Sequence, residues 1–337
     1  MDTNGQRPTQ VVVITGGTAG VGRATARAFA RRGAHIGILA RGRTGLEATK
    51  KDVEALGGKA VTVRGDVSNP EDVERLAEET EAAFGPVDVW VNNAMVGVIA
   101  TLWEMEPEEY RRVTEVTYLG QVYGTMTALK RMRPRNRGTI VLVGSALAYR
   151  GIPLQSAYCG AKHAVQGMFD AVRSELLHDQ SDVRITMVQM PGLNTPQFEW
   201  IRTKLPNKPK PASPPYQPEI AADAVVYAAT DGRDRREIYV GGPSVQAIVG
   251  NKVAPGFADH YLARTAFKGQ QRDESLPPDR KDNLFEPVEG DFGAHGPFDA
   301  KAKEHSPQLW ATKHKPWVLG VGAAVAGLLG AVLSRRS

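Results

Sequence analysis

Tyr158 and Lys162 stand four residues apart in Tyr158-Cys159-Gly160-Ala161-Lys162, inside an amphipathic stretch from Ser156 to His178. That spacing puts both side chains on one helix face. A phenol titrates near 10 and is a poor acid or base at neutral pH. An ammonium one turn away favours the phenolate and lowers that value, which suits Tyr158 to give and take a proton. Ser145 ends an apolar run, Thr139–Val143 followed by Gly144-Ser145. At the carboxyl end of a parallel strand its hydroxyl is placed to hydrogen-bond a carbonyl oxygen as charge develops there. Taken singly each residue is ordinary, since a Tyr–Lys pair on a helix is usually surface packing. A second feature gives them a partner.

That feature is Thr15-Gly16-Gly17-Thr18-Ala19-Gly20-Val21-Gly22, which follows the first apolar run and opens the first helical stretch. Glycine lets a backbone turn tightly and lets a pyrophosphate approach the free N–H groups at a helix start. Glycines at positions 16, 20 and 22 in a first strand-to-helix turn predict a dinucleotide site that includes Thr18 and Val21. The second apolar run ends Leu39-Ala40-Arg41-Gly42-Arg43. An acidic residue near this point holds the ribose hydroxyls of NAD. Here a cation stands instead, and the planar fork of Arg41 matches a 2′-phosphate. The expectation is NADP(H) in preference to NAD(H), with Arg41 and Arg43 as mere solvated loop charges the alternative.

The elements that must position these residues are legible as alternation. Gln10–Ile14, His35–Leu39, Ala60–Val63, Val87–Val91, Thr139–Val143, Val183–Val188 and Glu237–Val240 are short Val/Ile/Leu-rich runs. Their unbroken apolar character predicts strands buried on both faces. Between them lie amphipathic stretches near Arg23–Arg32, Leu46–Leu56, Pro70–Phe84, Pro107–Met132, Ser156–His178 and Pro218–Ala229. Pro70 and Pro107 read as first-turn prolines, Gly33 and Gly85 as stops. Repeated strand–helix–strand units predict an α/β fold, a doubly wound parallel sheet of the Rossmann type, over residues 1–250. From about Asn251 the pattern dissolves. Residues 251–316 are rich in Pro, Gly and charge and read as an extended arm, wrapped on the core or mobile.

Trp317 to Leu333 is a 17-residue uncharged run, with His314 and Lys315 before it and Arg335 and Arg336 after it. As a helix it spans about 26 Å, slightly short of a hydrocarbon core of about 30 Å. Gly322, Ala326 and Gly330 share one face, which suits close helix association in lipid. A membrane anchor for a cytoplasmic catalytic domain is the expectation, with a buried or oligomer-forming soluble helix the alternative.

The 337 residues carry a formal charge of +5, with hydrophobic and charged shares of 42% and 23%, ordinary for a globular protein. No arginine-rich run alternates with aromatics, so nucleic acid is not an expected partner. Cys159 is the single cysteine, which excludes an intrachain disulfide and fits a reduced compartment. Met1–Gln10 is polar and lacks the apolar core of a secretion signal. The histidines, His295 among them, fall at no metal-ligand spacing, so no metal is expected.

Together these motifs resemble the short-chain dehydrogenase/reductase family in its short, single-domain form, over roughly Gln10 to Val240. The glycine spacing resembles that form's TGxxxGxG. Asp66-Val67 matches the pair that in the family touches the adenine, and Asn92-Asn93-Ala94 the segment after the fourth strand. Ser145, Tyr158 and Lys162 match the catalytic serine, tyrosine and lysine, and Pro191-Gly192 the segment that contacts the nicotinamide. The resemblance implies that Lys162 also holds the nicotinamide ribose and that Tyr158 protonates the carbonyl oxygen as hydride arrives. It also implies a homo-oligomer built through the helices at Pro107–Met132 and Ser156–His178.

The chain departs from the family pattern in three places. Met95 stands where a glycine is usual, Thr117 where an asparagine supports a proton relay to the lysine, and Thr195 lies one residue nearer Pro191 than the usual threonine. Asn194–Gln217 corresponds to the variable substrate lid, and Phe198, Trp200, Leu205 and Tyr216 within it suit a hydrophobic ketone or aldehyde, or equally a lid packing on its own core. Two rival readings remain. A nucleotide-binding regulator or scaffold without turnover draws on Thr117, and an NAD-dependent alcohol dehydrogenase is opposed by Arg41.

Overall fold

All seven apolar runs form strands, and they lie in one parallel sheet. In the computed structural model, which describes residues 9–314, the chain begins β1 (Val11–Thr15), α1 (Gly20–Ala30), β2 (His35–Ala40), α2 (Arg43–Ala55), β3 (Lys59–Arg64), α3 (Pro70–Phe84) and β4 (Val89–Asn92). A short strand, β5 (Val98–Ile99), leads into α4 (Pro107–Thr114) and α5 (Gly120–Met132), then β6 (Gly138–Ser145), α6 (Ser156–His178) and β7 (Val183–Met190). The lid follows, with α7 (Gln197–Trp200), β8 (Arg202–Thr203) and β9 (Asn207–Pro209), and after it α8 (Pro218–Ala229) and β10 (Glu237–Tyr239).

The seven-stranded sheet has the order β10-β7-β6-β4-β1-β2-β3. Successive strands step outward from β1 through β2 to β3, and from β4 the other way. The order therefore reverses between β1 and β4, and a crevice opens there at the carboxyl ends of the strands. Every residue of β1 is buried, as the unbroken run Val11–Ile14 requires. One core cluster packs Ile14, Phe29 and Ile38 with Val225, and the other packs Trp90, Ile140, Phe169 and Met187, one on each face of the sheet. Helix starts follow their local chemistry. Asn69 accepts from the Glu71 N–H at 3.2 Å with Pro70 just behind it, and Gly85 ends α3 at φ +87°.

Two stretches differ from the sequence expectation. Pro107–Met132 is not one helix, because residues Glu115–Leu119 form a π turn between α4 and α5. The arm, in turn, holds regular elements of its own. After α9 (Gly242–Val253), which the sequence pattern also did not show, it contains α10 (Pro255–Gly269), β11 (Gln271–Ser275), which pairs antiparallel with β9, and α11 (Pro307–Lys313). Helix α10 left no amphipathic signature because its large apolar side chains face outward, Phe257 being 73% and Tyr261 56% exposed. After β11 the chain returns across the carboxyl edge of the sheet as an irregular strap. Leu284 is buried completely in the core, and His295 pairs with Asp299 and Glu219.

Among the described residues no helix is long and apolar enough to cross a membrane. The apolar run Trp317–Leu333 lies outside the described residues.

Candidate active site

The crevice is a cavity of about 460 Å³. Its floor is the glycine loop between β1 and α1. Gly16 has φ +68°, and a Cβ there would stand 2.8 Å from the Ala94 Cα. A Cβ on Gly22 would meet the Gly16 carbonyl oxygen at 2.2 Å. Only glycine lets the loop fold this close to α1. Thr18, Gly20 and Val21 also line the cavity. Asn93 braces the loop from β4: its amide donates to the Thr15 and Gly16 carbonyls at 3.0 and 2.9 Å, and its own N–H to Thr15 Oγ1 at 3.0 Å. These residues suit a dinucleotide, since the cradle exists only because glycine occupies it.

Asp66 and Val67 sit beside the carboxyl end of β3 and line the same cavity, with Val67 packed where Gly120 leaves room. Burial alone would raise the Asp66 carboxyl. The Ser68 N–H and hydroxyl, at 2.9 and 2.8 Å, and the Arg112 guanidinium outweigh it and hold the group below the usual range. Pro191, Gly192 and Thr195 line the wall opposite, after β7. A Cβ on Gly192 would press on the Ala212 carbonyl at 2.4 Å, so the lid closes directly onto this turn.

Ser145, Tyr158 and Lys162 converge at the inner end. Ser145, at the last residue of β6, accepts from the Leu147 N–H at 3.1 Å, and its hydroxyl lies close enough to the Tyr158 phenol to favour the phenolate. Lys162 is buried, its Nζ 5.6 Å from the Tyr158 ring centre and 2.7 Å from the Val143 carbonyl. Burial lowers its ammonium to about 7. The Tyr158 phenol moves against the sequence expectation. Burial pushes it up and is only partly offset by Ser145, so desolvation of the phenolate outweighs any help from the neighbouring ammonium. The phenol is therefore held in its neutral form.

Thr117 rides the π turn and is fully buried, its hydroxyl donating to the Val96 carbonyl at 2.8 Å and accepting from the Val96 N–H at 3.1 Å. That hydroxyl clamps the segment after β4. One turn later Gln121, which sequence reasoning missed, donates its amide to the Val143 carbonyl at 3.3 Å, the acceptor Lys162 also uses. Its buried Oε1 has no protein partner. An amide one turn beyond the usual position was the available signal.

Arg41 also lines the cavity, but the strap takes up its guanidinium, which donates to the carbonyls of Asn283, Leu284 and Phe285. The lid aromatics divide. Phe198 and Trp200 reach the cavity wall, where Met95 also sits, while Tyr216 is buried in the core and Leu205 packs beside Ile201.

A family model described as short chain dehydrogenase matches residues 10–205. The chain belongs to the short-chain dehydrogenase family. It is an oxidoreductase with a nicotinamide-cofactor fold, similar over nearly its whole length to "Uncharacterized oxidoreductase YxnA" of Bacillus subtilis, 30% identical over 97% of this chain and 91% of that one. That alignment takes in most of the arm, which the family model does not reach. The 3-dehydrosphinganine reductase of Danio rerio is 32% identical over 66% of this chain and 68% of its own. The 11-beta-hydroxysteroid dehydrogenase A of Arachis hypogaea is 37% identical over 53% of this chain and 51% of its own. Among solved structures, a metagenomic short-chain oxidoreductase in complex with NADP matches with TM-score 0.57 and 28% identity, over 68% of this chain and 95% of that one.

Proposed function

We propose that this short-chain dehydrogenase is an NADP(H)-dependent reductase of hydrophobic ketones or aldehydes, with Tyr158 as the proton donor. The carrying observation is the convergence of Ser145, Tyr158 and Lys162 at the inner end of a cavity floored by the glycine loop. Gly16, Thr18, Gly20, Val21 and Gly22 would hold the pyrophosphate end, Asp66, Val67, Asn93 and Ala94 the adenosine and the middle, Pro191 and Gly192 the nicotinamide. The chemistry a bound NADPH supplies is hydride transfer to carbonyl carbon. Ser145 donates a hydrogen bond to the carbonyl oxygen, and Tyr158 passes it the phenolic proton, so that the product is an alcohol. Lys162, protonated below about pH 7, then stabilises the phenolate and returns a proton to it.

Arg41 supports NADP(H) over NAD(H) by its position at the end of β2. The apolar wall of Met95, Ile152, Phe198, Trp200 and Ile201 supports a hydrophobic substrate, as do relatives named for 3-dehydrosphinganine and 11-beta-hydroxysteroid. Met126, 62% exposed on α5, supports assembly through that helix.

The test is NADPH and NADH consumption with a panel of hydrophobic ketones and aldehydes. Tyr158→Phe should lower turnover by at least about 100-fold while leaving NADPH affinity within about threefold. Tight NADPH binding with no turnover on any panel member would instead favour a nucleotide-binding regulator.

A further inference from the structure

The strap brings a carboxylate to the end of β2 from the far end of the chain. Glu289 accepts from the N–H groups of Arg43 and Thr44, its two oxygens 3.3 Å from the two nitrogens. These N–H groups open α2, whose cap residue Gly42 has no side chain to satisfy them and whose first turn holds no acid. The two bonds hold the Glu289 carboxyl below the usual range. Around it the strap is tied down at successive points. Arg41 donates to the carbonyls of residues 283–285, Asp291 pairs with Arg23 at 3.1 Å, and Gly293 accepts from the Gly20 N–H at 3.1 Å. Asn283, Pro287, Val288, Gly290 and Phe292 form the outer wall of the cavity.

The place matters because the end of the second strand and the start of the next helix receive the adenosine ribose of a dinucleotide. A 2′-phosphate there wants what Glu289 has taken: free helix N-terminal N–H groups and an unoccupied guanidinium. A 2′-hydroxyl wants the opposite, an acceptor carboxylate. Ala40, Arg41 and Gly42 supply none, and Glu289 does.

We propose that Glu289 sets cofactor selectivity by occupying the seat of the 2′-phosphate. NADP(H) takes that seat only by displacing the carboxylate and freeing Arg41 from the strap carbonyls, whereas NAD(H) leaves Glu289 in place as acceptor for its ribose hydroxyl. The proposal rests on reading the cleft as a nicotinamide-dinucleotide site. It opposes the pull of Arg41, so the wild-type preference is the difference between the two. The two cofactors then leave the strap in different positions, displaced with NADP(H) and seated with NAD(H).

The experiment measures dissociation constants of NADPH and NADH for the full chain by calorimetry, in wild type and Glu289→Gln, with hydrogen exchange of residues 283–293 in each complex. Glu289 is exposed on a surface strap, so the substitution leaves the fold intact, and circular dichroism checks this. Removing the charge should tighten NADPH about tenfold, while NADH stays unchanged or weakens. In wild type NADPH should speed exchange of 286–293 and NADH should slow it. An unchanged or weaker NADPH affinity in Glu289→Gln, or equal protection of the strap by both cofactors, overturns the proposal. Wild type binding NADH more tightly than NADPH would contradict the cofactor preference proposed above and yet support this inference, provided the substitution shifts the ratio. If neither cofactor binds wild type, both fall.

Discussion

Lys162 shows how a side chain suited to the site works against the fold. Its ammonium titrates near 7 in the folded chain against 10.5 for an ordinary lysine. Between those pH values the unfolded chain holds a proton that the folded chain lacks. Stability therefore rises with pH across the window, and the burial penalty is present in full below about 7. Lys162→Met should remove turnover and yet stabilise the chain by a few kcal/mol at pH 6, with the Val143 carbonyl retaining its bond from Gln121. The gain should fade as pH rises toward 10. Urea melts of both proteins at pH 6, 8 and 10 check this, and a less stable variant at pH 6 would refute it. The types and spacing of Tyr158 and Lys162 were legible in the sequence because one helical turn relates them. The direction of the Tyr158 shift was not, because desolvation depends on what the rest of the chain packs around the pair. Gln121 was hidden for the same reason, since its role depends on a carbonyl from β6.

At the level of elements, the seven strands and the helices around them follow from local pattern, whereas the π turn and the arm do not. The π turn carries Thr117 to Val96, a contact no helical period anticipates. The arm reaches the lid through pairings with sequence separations near 80, and Arg280 is its main rivet. Its guanidinium donates to the carbonyls of Phe198, Glu199 and Ile201 at 3.1, 2.8 and 2.7 Å. Arg280→Ala leaves those carbonyls to water and should lower stability by about 2 kcal/mol. The larger effect belongs to the lid: hydrogen exchange of residues 198–203 should accelerate. The KM for a hydrophobic carbonyl should rise severalfold, with NADPH affinity little changed, because Phe198 and Trp200 lose their fixed place on the cavity wall. Unchanged exchange in this segment would show that β5–β8 pairing and the Trp200–Phe292 contact hold the lid without Arg280.

On the scale of the whole molecule, the arm supplies the outer wall of the crevice at the carboxyl ends of the strands, and the chain then continues past His314 into the run Trp317–Leu333. A dinucleotide site and a lid need no such run, and we propose that it anchors the enzyme to a membrane. A hydrophobic carbonyl compound partitions into bilayers, and an anchored reductase meets it there. The full chain should therefore sediment with membranes, resist alkaline carbonate and release into detergent. A chain ending at His314 should stay in the supernatant and keep its turnover of a water-soluble carbonyl. Release of the full chain by carbonate would mean that the run packs on protein instead. As a membrane helix of about 26 Å the run would be too short to tilt much in a core of about 30 Å, and Lys315, Arg335 and Arg336 would then have to reach the two headgroup layers by extending their side chains. Lengthening the run by four leucines should leave anchoring intact, whereas Leu328→Arg, a charge near its centre, should abolish it. A soluble packing helix would answer the other way, tolerating one charge on an exposed face and losing its fit on insertion.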